Sequence, residues 1–449
     1  MQSLFQHDTL TDAQRRDTEL DFAKENSSMA DIYEGSYFTI SADISTSMDS
    51  GMFSNNSPPA CLPVKVVDDN GKPVTLFART RKLSHGLWAS GINTRSWTLQ
   101  EHILPPRVLH FGQYDISWRC RKLHICECGY VNNPDRILNG FCERQSKVAR
   151  ELSQLYQPAF NVVEWWETVI ESYSHRSLSE PRDKLPALSG LAQVYRKATM
   201  DTYLAGLWRG WLLYGLCWGI RYRTYPKLDK FAVGCRPKTF RAPSWSWASI
   251  DISRPDFECQ IYSCFVNGTD IKPKAFRIVC MLHQVYCTPK TSDPTGEVSE
   301  DCRLEIGVKL VSVTIKRLRC QSTSPQWAIY NVKDGTEVQY LMPDCRLEDE
   351  GLSDGDEVFC APIMESLDHK YSVRRCILLK RLQGQTYQRI GFCVLLKENP
   401  NVIEHEELKV DAWQLGQESP VPLSEEIAKK TKDYALQFDV DMLERIVII

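Results

Sequence analysis

Two groups of side chains carry types and spacings that chemistry could use. The first lies in the block Arg95–Cys120, RSWTLQEHILPPRVLHFGQYDISWRC, which concentrates tryptophans, a Gln100-Glu101 pair, three arginines and two histidines. Glu101 is the sharpest catalytic candidate in it. A glutamate on a short helix can equally pair with a nearby arginine, and Gln100 can cap backbone. The second group is Cys120, Cys126, Cys128 and Cys142 with His124. Thiolates and an imidazole suit tetrahedral zinc. The Cys-x5-Cys-x-Cys spacing matches no known zinc knuckle, however, and strand alternation can bury such thiols as small apolar groups. No metal is assigned from these residues. His102, His110 and His124 read as packing or surface residues, and no Cys–His pairing has a nucleophile signature. The chain has no GxxxxGK[ST], no GxGxxG after a strand and no HExxH, so ATPase, dehydrogenase and zinc-protease readings are poor. No cofactor is expected.

The elements that must position these residues follow from periodicity. Leu99, Ile103 and Leu104 share one side of a short helix with Trp97 beside it. Pro105 and Pro106 stop that helix. Val108, His110 and then Tyr114, Ile116, Trp118 alternate as strands, with Gly112-Gln113 as the turn. The expected order is helix, stop, strand, turn, strand. Upstream, Phe22, Met29, Ile32 and Tyr33 lie on one helical face, Gly35 ends the helix, and Tyr37–Ile40 favour a strand. Asp69-Asn70-Gly71 between apolar alternations predicts a hairpin.

These two stretches resemble the fungal heterokaryon-incompatibility (HET) domain. Its last motif is matched by Arg95, Trp97, Gln100, Glu101, Arg107, Val108, Leu109 and Phe111. Its middle motif is matched by Met29, Ile32, Tyr33, Thr39, Ile40 and Ala42, and Ser47–Phe53 resembles the loop that follows. The joint Tyr173, Ser174, Arg176, Leu178, Pro181, Asp183, Lys184 and Leu185, and the segment Ala242–Ser249 (APSWSWAS), resemble linkers seen after such domains. Two earlier HET segments, apolar strands rich in Tyr and Trp, find no counterpart beyond Gln2–Asp8, so the domain is expected to be N-terminally truncated. Missing central strands would leave hydrophobic sheet faces without partners.

The resemblance implies a TIR-related sheet. It further implies that Glu101 could act at a ribosyl carbon of NAD, with Arg95 holding an anionic phosphate, Trp97 stacking on a ring and Gln100 beside them. Two functions stay open. One is nonself recognition and programmed cell-death signalling in a filamentous fungus, through a protein partner or self-association. The other is an enzyme: either a NAD-cleaving unit using Glu101, or a family member in secondary metabolism whose pocket beside a Trp-rich helix takes an apolar small molecule.

Downstream, Trp166, Val169, Ile170, Tyr173 and Leu188, Leu191, Ala192, Tyr195 predict a helical pair. Tyr203–Ile220, YLAGLWRGWLLYGLCWGI, is the right length to imitate a membrane span, but Arg209 near its centre and three glycines favour a buried helix. From about residue 255 the pattern turns β-rich, suggesting a sandwich or partial barrel. Leu304, Ile306, Val308, Leu310 alternate, then Val311, Val313, Ile315 alternate in opposite phase, which predicts a bulge or bend near Leu310-Val311. The tail from Glu407 reads as charged and partly helical. The expected fold is α/β or α+β, divided as a partial HET sheet domain at 1–130, a helical linker region at 131–250 and a β-rich domain at 251–449.

At 449 residues with 43% hydrophobic and 25% charged residues, the chain is of ordinary globular composition. A net charge of −3 gives no bulk attraction to nucleic acid or anionic lipid, and the basic run at Lys316, Arg317 and Arg319 reads as a solvated strand end. Seventeen cysteines, an odd number, with no apolar leader at Met1–Leu20, point to a reducing compartment, hence the cytoplasm, with idle sequons at Asn26 and Asn267.

Overall fold

The computed structural model describes residues 28–45, 51–53, 61–79, 91–112, 115–127, 147–174, 176–222, 234–252, 259–263, 276–318, 326–330, 337–367, 371–398 and 443–449. Phe22, Ser47, Gln113, Tyr114, Cys128, Cys142, both sequon asparagines and the tail segment 407–442 lie outside these residues. Among the described residues the fold is α+β, with no closed barrel. The chain forms two compact units: a smaller one, Met29–Ser153, and a larger one built from Met1–Ser28 and Gln154–Ile449.

The smaller unit follows the predicted order. Helix α1 runs through residues 28–34. Its Gly35 N–H closes on the Asp31 carbonyl at 2.9 Å, where an added Cβ would collide with that same oxygen. The chain then enters β1 (Thr39–Ser41). β2 (Cys61–Val67) and β3 (Pro73–Arg79) form the expected hairpin. Gly71 adopts φ +78° in its turn, a conformation that favours glycine. Next come α2 (Thr98–Ile103), β4 (Arg107–Phe111), β5 (Ile116–Cys120) and β6 (His124–Cys126). A further helical turn, α3, covers residues 147–151. β1, β4, β5 and β6 form one sheet in that order, with β1 parallel to β4 and the rest antiparallel. One expectation shifts: Ile32 is 61% exposed, and the buried side of α1 centres on Ala30 with Met29 and Tyr33 half-buried. The helix is rotated by one position from the predicted stripe.

In the larger unit α4 (Val162–Ser174) and α5 (Ser189–Thr199) are the predicted helical pair. The segment after them is not a helix, which corrects the reading of a Trp-rich helix. β7 (Tyr203–Leu204) and β8 (Leu207–Trp208) pair as a minimal hairpin, followed by a 3-10 turn, the one-turn α6 (Leu212–Gly215) and β9 (Trp218–Tyr222). Ala205 (φ +48°) and Gly206 (φ +96°) form the reversal. That geometry cannot continue a right-handed helix. Trp166 and Trp247 fill the space under the turn, and both indole N–H groups donate to the Gly206 carbonyl, at 3.1 and 3.0 Å. Among the described residues no helix is long and apolar enough to cross a membrane.

The two linker-like segments meet. Tyr173 Oη donates to the Lys184 carbonyl at 2.6 Å and its ring packs edge-on against Trp247. Lys184 Nζ reaches the Ile250 carbonyl and Asp251, while Arg241 reaches the Ala248 and Pro181 carbonyls and the same Asp251. Burial lowers the Lys184 ammonium, with Asp251 opposing. Burial alone would raise Asp251, but Lys184 and Arg241 outweigh it and hold the carboxyl below its ordinary range.

β10 (Gly234–Cys235) pairs with β11 (Asp251–Ile252), and β12 (Cys259–Ser263) with β9. The rest is one sheet: β13 (Phe276–Ile278), β14 (Met281–Tyr286), β15 (Arg303–Val308), β16 (Val311–Leu318), β17 (Gln326–Tyr330), β18 (Glu337–Pro343), β19 (Glu357–Leu367), β20 (Tyr371–Gln383), β21 (Thr386–Glu398) and β22 (Glu444–Ile448). Its main path is β14-β15-β22-β21-β20-β19-β16-β17, with β13 on β19 and β18 on β21. The phase change after Leu310 is not a bulge within one strand. β15 and β16 are separate strands with different neighbours, so each keeps its own apolar alternation facing the core.

Candidate functional site

The predicted site residues lie around α2. Arg95 is exposed just ahead of the helix and Trp97 is half-buried at its N-cap. Thr98 ties this entry together, its hydroxyl donating to the Ile92 and Arg95 carbonyls at 2.6 and 2.8 Å. Gln100 is fully buried and its amide donates to Met29 Sδ at 3.5 Å. Glu101 is half-buried and acts on Tyr33, whose phenol is pushed up first by burial and then by the Glu101 charge. The structure thus brings Gln100 and Glu101 together against α1, through Met29 and Tyr33, two residues one helical turn apart.

The C-terminal end of α2 is capped by arginines from β5 and the residue after it. Arg119 Nη2 donates to the His102 carbonyl. Arg121 donates to the Ile103 and Leu104 carbonyls at 2.8 and 2.6 Å, and to the Ala149 carbonyl at 2.7 Å. These are the carbonyls a helix leaves without partners when prolines forbid its continuation. Burial, then the neighbouring Arg121, lower Arg119 to about 10, and Asp43 opposes the shift.

Under α2 lies a polar cluster that sequence reasoning missed. Ser41 ends β1 and is the register partner of His110 on β4. Two residues on, the Asp43 N–H donates to the Phe111 carbonyl, which turns the Asp43 side chain over β4. Ser41 Oγ lies 2.9 Å from His102 Nε2 and 2.5 Å from Asp43 Oδ1, and His110 Nδ1 lies 3.2 and 3.3 Å from the two Asp43 oxygens. The rings of His102 and His110 meet edge to face at 5.3 Å, with His124 6.5 Å beyond His110. All four side chains are buried. His102 and His110 were visible in the sequence as two histidines flanking a Pro-Pro stop. Asp43, some sixty residues earlier, carried no signal until the parallel β1–β4 pairing brought it near. Cys120 and Cys126 sit on neighbouring strands, half-buried and buried.

The sheet's other face is different. The register aligns Ile40, Leu109, Trp118 and Ile125 in one row across all four strands. Ile40 and Ile125 are 50% and 44% exposed, and Leu109 and Trp118 are half-buried. Phe53, 70% exposed, packs edge-on against Phe111 beside this row, and Tyr37 and Phe38 are exposed at the β1 end. Among the described residues the sheet thus carries α2 on one face and a row of exposed and half-buried apolar side chains on the other.

The entry to α2 and the helix itself carry Arg95, Trp97, Gln100 and Glu101, the Arg-x-Trp-x-x-Gln-Glu pattern. Residues 8–101, which include α1, β1 and the start of α2 but not β4, β5 or β6, match the family model described as Heterokaryon incompatibility protein (HET), so residues 8–101 are HET-like. No curated protein and no solved structure matches the chain.

Proposed function

We propose that the chain is a heterokaryon-incompatibility-type protein that acts in nonself recognition and cell-death signalling, in the fungal cytoplasm, by protein association. The observation that carries this reading is the row Ile40–Leu109–Trp118–Ile125, which starts on β1 inside the matched residues and runs across the sheet. Contiguous exposed apolar surface marks interaction sites more often than isolated exposed side chains do. Covering each such side chain yields on the order of 1 kcal/mol or more, so a stacked face supplies several.

The test is expression in a filamentous fungus. The wild-type chain is expected to arrest growth or kill the expressing cells. A chain carrying Ile40→Lys and Ile125→Lys, expressed to the same level, is expected to be tolerated, because two ammonium groups on that face oppose its burial. An inert wild type, or a double variant as toxic as wild type, overturns the reading.

A further inference from the structure

The geometry points to a divalent-cation site in the smaller unit, with Asp43, His102 and His110 as ligands and zinc as the ion. Two imidazoles and a carboxylate are a donor set that zinc takes at about 2.0–2.2 Å. Ligand atoms around a tetrahedral zinc therefore sit about 3.3 Å apart. The donor atoms of these three residues all lie within 4.8 Å of one another. Asp43 and His110 already stand at 3.2 Å, and Ser41 Oγ, between His102 and Asp43, is placed to take the fourth position or to hold the carboxylate. Small inward movements of the rings would close the shell.

Three independent elements deliver these donors: the exit of β1, the last turn of α2 and the far end of β4. Their burial, at most 4% exposure for each, suits an ion with a structural role. A cation there would pin α2 to the parallel β1–β4 pair. β1 is a short edge strand, three residues long and paired on one side only among the described residues, so the added tie bears on a weakly held element. A metal-free cluster would instead be a hydrogen-bonded network of Ser41, Asp43, His102 and His110 with the Arg119 charge acting on Asp43. The site does not depend on the association reading above.

The test uses the full chain, stripped with chelator and titrated with zinc, then with cobalt(II) as a spectroscopic replacement. Expected is one equivalent of zinc bound, with a raised melting temperature. The cobalt form should show visible ligand-field bands and no thiolate-to-cobalt charge-transfer band. Asp43→Asn and His110→Gln should each weaken zinc at least about a hundredfold, while Cys120→Ser with Cys126→Ser leaves it unchanged. If a ligand variant fails to fold, the wild-type cobalt spectrum decides alone. A folded wild type that binds no stoichiometric zinc, a thiolate band, or unchanged affinity in His110→Gln overturns the site.

Discussion

Arg389→Ala is expected to destabilise the larger unit by about 3–5 kcal/mol. The guanidinium is fully buried on β21. It donates to both oxygens of Asp344, at 2.9 and 3.2 Å, to the Leu216 carbonyl at 2.5 Å and to the Trp218 carbonyl at 2.7 Å. It also lies flat over the Trp218 indole, 3.4 Å from the ring centroid. One side chain thereby ties β21 to the residue after β18 and to the segment that replaces the predicted helix. Truncation takes from Asp344, itself buried, its nearest counter-ion, leaving Arg236 at 4.0 Å, and removes a donor from each of two backbone carbonyls. The cost comes from those stranded groups more than from any net gain of the pair in the native protein. Thermal or urea unfolding of the full chain reads it. Adding Asp344→Leu to Arg389→Met should recover much of the loss, since removing both charges removes the stranded carboxylate. A loss under 1 kcal/mol for Arg389→Ala would contradict the assignment.

Trp247→Ala is expected to cost about 3–5 kcal/mol in the same unit. Trp247 is fully buried, packs edge-on against Tyr173 and donates to the Gly206 carbonyl. Its removal leaves a large cavity beneath a turn whose backbone cannot close over it, because Ala205 and Gly206 are already committed to positive φ. Trp247→Phe should cost far less, about 1–2 kcal/mol, because Trp166 still donates to the same carbonyl. The ratio between the two variants, from denaturant midpoints, separates packing from hydrogen bonding. Equal losses would show that the indole N–H matters more than the volume it fills.

The elements around α2 were legible because their signals are local. Two prolines stop a helix wherever they fall, and the alternation of Val108 and His110 declares a strand without knowledge of its neighbour. The same holds for α4 and α5, and for the Asp68–Lys72 turn. The segment 203–220 misled because composition does not encode direction of turning. Its tryptophans and glycines suit a packed helix or a packed hairpin alike, and the choice is made by the Gly206 carbonyl, which two indoles from other segments bind. β22 was likewise invisible as a partner of both β15 and β21, since long-range pairing leaves no trace in a five-residue stretch. The candidate site divides along the same line. Glu101 and Gln100 came from a motif, whereas Asp43 joins His102 and His110 only once β1 lies parallel to β4. The members of the apolar row on the other face were set by register, which no local signal encodes.

Sedimentation velocity of the full chain across a concentration series tests the association surface most directly. Two-fold homodimers are the commonest soluble oligomers, so a second copy of the chain is the occupant tested first. The wild-type chain should therefore shift from monomer toward dimer as concentration rises, and the chain with Ile40→Lys and Ile125→Lys should stay monomeric with an unchanged circular dichroism spectrum. A wild type that remains monomeric throughout, or a double variant that dimerises as readily, would contradict it.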